Sequence, residues 1–272
     1  MHYLFLILSL LSSLTIALLL RVFENKGYNR TVVIASNYAT AGTLGCLLAD
    51  KNNTALTGSA LLFGIVTGLF FAIGFIALSR AIKEKGIAST VTIGRLSLAI
   101  PVCLSIFLWG EKPFLIDIVG LVLIFFIILS WEGKIGKLSP ILLILFFLFG
   151  FLDSAMKFFK FQFPSVDDGF FLIILFYSAM TWSWGYIFFS GKKLKPVDIF
   201  WGLLLGVPNF FSTYFLLKAL VLIPAYVIFP FVNTGMIILS ALSGHVLFKE
   251  ELNRKKIILI LLGIAAVLFL TT

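Results

Sequence analysis

From residue 3 to residue 270 the chain is a succession of ten apolar runs, separated by short stretches of charge, glycine or proline. A helix rises 1.5 Å per residue, so a hydrocarbon core of about 30 Å calls for about 20 mainly apolar residues, the size of each run. The runs fall at 3–20, 31–49, 57–79, 88–109 and 113–131, then at 140–160, 169–189, 196–218, 224–248 and 255–270. Of the 272 residues, 61% are hydrophobic and only 12% charged, with a mean hydropathy of +1.12. One soluble core cannot hide that much apolar surface, so the expected solvent is largely lipid. Short connections are all that remain between the runs. The first run lacks a basic leader and a small-residue cleavage site before Arg21 and Glu24, and reads as a retained helix rather than a signal peptide. The expected fold class is an all-α polytopic membrane protein of ten transmembrane helices.

The net charge of +9 does not point to nucleic acid, because the basic residues sit in short loops and form no continuous face. Loops after the odd-numbered runs carry fifteen of the 21 Lys and Arg residues. Loops on the other side carry Lys51, Lys112, Lys157, Lys160 and Lys218, and Arg95 lies within a run. Basic loops are normally cytoplasmic, which would put both termini outside the cytoplasm. Cys46 and Cys103 lie inside apolar runs without metal-ligand spacing and are expected to pack as small apolar residues.

Traces of an internal repeat run through the chain. Gly64 and Gly68 match Gly202 and Gly206, and Arg80-Ala81 matches Lys218-Ala219, all at an offset of 138; Glu111 matches Glu250 at 139. Two readings stay open: inverted halves, since an odd number of helices per repeat inserts similar sequences in opposite senses, or glycines that simply let helices approach. The expected halves are 1–137 and 138–272.

The segment Phe229-Pro230 through Asn233, Ser240 and Gly244 to Phe248-Lys249-Glu250-Glu251-Leu252, then Arg254-Lys255-Lys256 and Gly263, resembles the close of an EamA-type member of the drug/metabolite transporter superfamily. Arg95-Leu96-Ser97, Pro101-Val102, Trp109-Gly110-Glu111-Lys112 and Gly120 resemble the end of the first half of such proteins. The resemblance implies a plasma-membrane carrier, bacterial by analogy, that exports or exchanges small metabolites, amino acids or drugs. A lipid-linked sugar carrier of the same fold is an alternative. A membrane scaffold or embedded enzyme that moves nothing is another.

Arg95 is the most informative single residue. A cation inside an apolar run is expensive and is expected to face the bundle interior. It either contacts an anionic group on a substrate or forms a structural ion pair, and Thr234 is its counterpart at the 139 offset. Asp153, Lys157 and Lys160 share a helix face, so Asp153 and Lys157 can pair with each other. Asp153 is also a candidate proton-coupling carboxylate, or the partner of Arg95. Asn233, Ser240 and Gly244 form one stripe that either lines a cavity or packs a helix. Asn37, Tyr38, Trp184, Asn209 and Tyr214 complete the candidate substrate-binding residues as hydrogen-bonding groups or aromatic walls.

Pro101, Pro208 and Pro230 fall inside runs and are expected to kink them. The sequence contains no GxGxxG, GxxxxGK[ST] or HExxH pattern and no convincing catalytic triad, so no enzyme, cofactor or metal is expected. Glu111 and Glu250 read as helix-end charges, and His245 is assigned no role. The expected partners are a small-molecule substrate, the bilayer and a coupling proton, with no nucleic acid, the chain acting as monomer or homodimer.

Overall fold

A computed structural model of the chain describes residues 2–50, 56–85, 87–131, 139–191, 193–249 and 251–271. The described residues form eleven α-helices and no strand: α1 (His2–Asn25), α2 (Arg30–Leu48), α3 (Gly58–Lys85), α4 (Ile87–Leu96), α5 (Ala99–Phe107), α6 (Leu115–Trp131), α7 (Pro140–Gln162), α8 (Asp168–Phe189), α9 (Pro196–Leu222), α10 (Ala225–Phe248) and α11 (Arg254–Thr271). Eight spans are long and apolar enough to cross a membrane, α4 and α5 counting together as Thr90–Phe107. The helix Leu115–Trp131 is apolar but shorter. A multi-pass membrane protein is the class these helices fit, because hydrocarbon forces every backbone group into internal hydrogen bonds.

Each apolar run of the sequence is helical, with one interruption. Between α4 and α5 the ladder tightens: Leu98 N donates to Arg95 O at 3.3 Å and Ile100 N to Ser97 O at 3.0 Å, each three residues back. Pro101 explains the break, since its ring removes the N–H that Ser97 O would have accepted and crowds that carbonyl. Pro208 and Pro230 lie inside helices that continue through them.

The chain forms two compact units. One comprises Met1–Ile76 with Phe158–Ala219, the other Ala77–Lys157 with Leu220–Thr272. Each therefore draws on both sequence halves. The expected boundary between the halves, together with Lys51, Lys134, Lys137, Lys192 and Glu250, lies outside the described residues.

In the first unit the four repeat glycines mark close helix approaches. A Cβ on Gly64 would strike Ile174 and approach Phe171, and one on Gly68 would strike Leu175 O and Ser178. A Cβ on Gly202 would strike Val33 O and Ser36, and one on Gly206 Asn37 O and Thr40. Every member of the first set stands 138 positions from its counterpart in the second, so α3 on α8 and α9 on α2 are the same contact made twice. The approach lets Ser178 Oγ donate to Ile65 O at 2.8 Å. In the second unit, α6 packs on α11, and α10 touches α5, α6 and α11.

Cys46 and Cys103 are both exposed on the protein surface, so neither is an interior packing residue. Exposure costs an apolar thiol nothing when the surrounding solvent is lipid.

Candidate functional site

Arg95 occupies the last turn of α4, just before the proline-induced break. The negative end of the helix dipole stabilises a cation there. Its Nη1 donates to Asn233 Oδ1 of α10 at 3.1 Å. Asn233 is buried and its Nδ2 donates one turn back to Phe229 O at 2.9 Å, which orients the amide oxygen toward the guanidinium. Asp153 of α7 lies within electrostatic reach of Arg95. Both charged side chains keep part of their surface accessible while sitting inside apolar helices. With one hydrogen bond to a neutral amide among the described residues, most of the five guanidinium donors remain for another group.

Arg95 and Asn233 are themselves 138 positions apart. At the 138 spacing of the glycine contacts Arg95 corresponds to Asn233, and at the 139 spacing of Glu111 and Glu250 it corresponds to Thr234. Thr234 is fully buried, and its Oγ1 has no partner among the described residues.

The three charges of α7 do not pair with one another. Asp153 lies within electrostatic reach of Arg95, Lys157 Nζ binds Glu111 Oε1 at 2.6 Å, and Lys160 Nζ binds Asp168 Oδ1 at 2.6 Å. The expected Asp153–Lys157 pair thus gives way to partners on other segments, which supply closer carboxylates.

Glu111 is more than a helix-end charge. Its Oε2 accepts from Ala225 N at 2.8 Å and Tyr226 N at 3.2 Å. Pro224, the residue before α10, supplies no side-chain cap, so Glu111 satisfies the orphan donors from another segment. Asp117 adds a second tie: it is buried, and its Oδ2 accepts from Phe114 N at 2.7 Å and from Tyr226 Oη at 3.2 Å. These two acids hold the first turn of the helix that carries Asn233, and Glu111 also anchors α7 next to Asp153. Reading the sequence missed both roles, because the capped turn lies 114 residues from Glu111.

Other expected residues gather in the first unit. Asn209 Nδ2 donates to Asn37 Oδ1 at 2.6 Å, and Asn37 Nδ2 donates to Ile34 O at 2.8 Å. Tyr38 is buried with its ring stacked 6.1 Å from Phe176. Tyr214 stacks on Phe210 at 5.5 Å, and Lys218 Nζ lies 5.2 Å from its ring. Lys218 also binds Asp168 Oδ2 at 2.9 Å, so a carboxylate only 2% exposed holds two lysines. Trp184 packs against Val32, Ala35 and Ile187 as core. Ser240 is half-buried on α10, on the stripe of Asn233. The structure thus joins Arg95, Asn233 and Asp153 in one unit, and Asn37 with Asn209 in the other.

No family model matches the chain. An uncharacterized protein of Haemophilus influenzae is 26% identical over 287 residues, spanning 96% of this chain and 95% of that protein. A solved crystal structure of a protein matches with a TM-score of 0.80 at 16% identity, covering 99% of this chain and 96% of its own, a likeness of fold.

Proposed function

We propose that the chain is a secondary carrier of the EamA type that its sequence resembles, with ten membrane helices arranged as two inverted five-helix repeats. Counting α4 with α5 as one span, and α6 and α11 beside the other seven, gives the ten. The duplicated glycine contacts support the repeat, since two halves of the same fold make the same contact twice. The observation that carries the reading is Arg95: a partly accessible cation at a broken apolar helix, tied to Asn233 and faced by Asp153. Charges inside membrane helices are costly and mark substrate or ion pathways.

The substrate is a small polar metabolite, amino acid or drug with an anionic group, held where α4 and α10 meet. Broken helices with free backbone and polar ends suit alternating access. Asp153 is positioned to take up a proton as Arg95 turns to substrate. The chain carries no nucleotide-binding motif, so a gradient or exchange drives the cycle, and the setting is the bacterial plasma membrane. Reconstitution into liposomes with a panel of labelled metabolites and dyes tests this: counterflow that is lost in Arg95→Gln supports the carrier. No exchange of any solute by well-inserted protein refutes it.

A further inference from the structure

We infer that the turn between α1 and α2 is a preformed binding site for a phospholipid headgroup carrying both a phosphate and a primary ammonium. It rests on the protein being embedded in a membrane and not on transport. A cavity of about 160 Å³ opens there, lined by Leu20, Phe23, Glu24, Tyr28, Arg30 and Val33. At about 30 Å³ per water it has room for about five waters, or for one phosphate with a short amine attached.

Local chemistry holds the cavity open. Gly27 adopts φ +68°, its N–H donates to Glu24 O at 3.0 Å, and Tyr28 N donates to Phe23 O at 3.1 Å. This is a Schellman C-cap, which needs a left-handed residue that glycine supplies without strain, together with an apolar contact across the turn. That contact is the Phe23 ring, 5.9 Å from Tyr28. Trp201 of α9 braces both rings, at 5.5 Å and 6.4 Å. On the far side, Asn29 caps α2 by accepting from Thr31 N at 3.2 Å, and Asn29 N donates to Asp198 Oδ1 at 3.2 Å. Both walls are therefore fixed before any ligand arrives.

The lining has opposite charges in a fixed order. Arg30 is half-buried, and its Nε, shielded from solvent, has no hydrogen-bond partner among the described residues. Arg30 lines the cavity, and a phosphate oxygen is the acceptor that the outer nitrogens of its planar guanidinium fit best. The α2 N-terminus adds dipole attraction for the same anion. Glu24 is the carboxylate within electrostatic reach of Arg30, and it is exposed, placed to accept from an ammonium. Both flanking helices are membrane-spanning candidates, so this turn lies at headgroup level. Phosphoethanolamine lipids combine the two charges at that depth.

The test is lipid retention by purified protein, read by native mass spectrometry and by thermal protection in detergent. Phosphatidylethanolamine, phosphatidylglycerol and phosphatidylcholine are compared, with soluble phosphoethanolamine and inorganic phosphate as headgroup-only arms. Wild type should retain phosphatidylethanolamine preferentially, and Arg30→Gln should weaken that about tenfold. Glu24→Gln, at an exposed position that leaves the fold intact, should erase the preference over phosphatidylglycerol. Equal retention of all three lipids by wild type overturns the proposal. Equal protection by soluble phosphoethanolamine overturns the lipid as source.

Discussion

Arg95 Nη1 donates to Asn233 Oδ1 at 3.1 Å, and the two residues stand 138 positions apart, the spacing that also relates the duplicated glycine contacts. On the proposed repeat, Asn233 is the counterpart of Arg95. There Arg opposes Asn, and the position acquires a charge that its mate lacks. The first prediction follows from that asymmetry. Arg95→Lys keeps the charge but loses the planar fork, so exchange should fall about tenfold; Arg95→Gln should fall further, with membrane insertion unchanged. Asn233→Ala should weaken exchange less, because only the orienting bond is lost. Initial rates in liposomes measure all three, and an Arg95→Lys protein of wild-type rate argues against substrate recognition by the guanidinium.

Asp153 lies within electrostatic reach of Arg95 in the second unit. If it carries the coupling proton, Asp153→Asn should flatten the pH dependence of exchange while substrate binding persists. Rates measured across a pH series, with and without an imposed gradient, decide this. An unchanged profile removes Asp153 from coupling.

Glu111 joins Lys157 and the first turn of α10 through one carboxylate. Glu111→Gln keeps an acceptor but loses the charge, and should cost about 1–3 kcal/mol in thermal or denaturant unfolding. The charge-swapped pair, Glu111→Lys with Lys157→Glu, restores an ion pair but places a cation at a helix N-terminus. It should therefore fail to recover stability. Full recovery would reduce Glu111 to a simple ion-pair partner.

The duplicated contacts predict matched costs. Gly68→Ala and Gly206→Ala each press a methyl into a facing backbone carbonyl and should destabilise by about 1–3 kcal/mol. Gly185→Ala, where a Cβ would meet nothing within 4 Å, should be neutral or mildly stabilising. Unfolding midpoints of the three variants provide the comparison. A tolerated Gly206→Ala beside a damaging Gly68→Ala would break the equivalence.

Much of the architecture was legible in advance because a bilayer imposes a length and a polarity on each crossing. Each apolar run became helix, but of the three prolines expected to kink their runs only Pro101 stands at a break, between α4 and α5, while α9 and α10 continue through Pro208 and Pro230. The glycine offset was visible as well, although identities alone could not separate a repeat from ordinary packing glycines. The paired contact partners, Ser36 with Ile174 and Thr40 with Ser178, were not visible, since nothing in those residue types marks them as equivalent.

The site was legible in its members and not in its wiring. Arg95 stood out because a cation in an apolar run has few innocent explanations, and Asp153 was a candidate partner, whereas Asn233 was expected on a stripe with Ser240 and Gly244 and not beside Arg95. Helix periodicity paired Asp153 with Lys157, but periodicity knows only one helix. Glu111 offered Lys157 a carboxylate at 2.6 Å from another segment, and Asp168 did the same for Lys160. Trp184, expected as an aromatic wall, is partly buried against Val32, Ala35 and Ile187. The sequence by itself determined that this chain is helical and apolar, because those properties follow from each residue and its near neighbours. Which charge meets which, and which acid caps α10, only the tertiary structure decided, because electrostatic and hydrogen-bond partners are chosen by distance in space, across as many as 203 positions of chain.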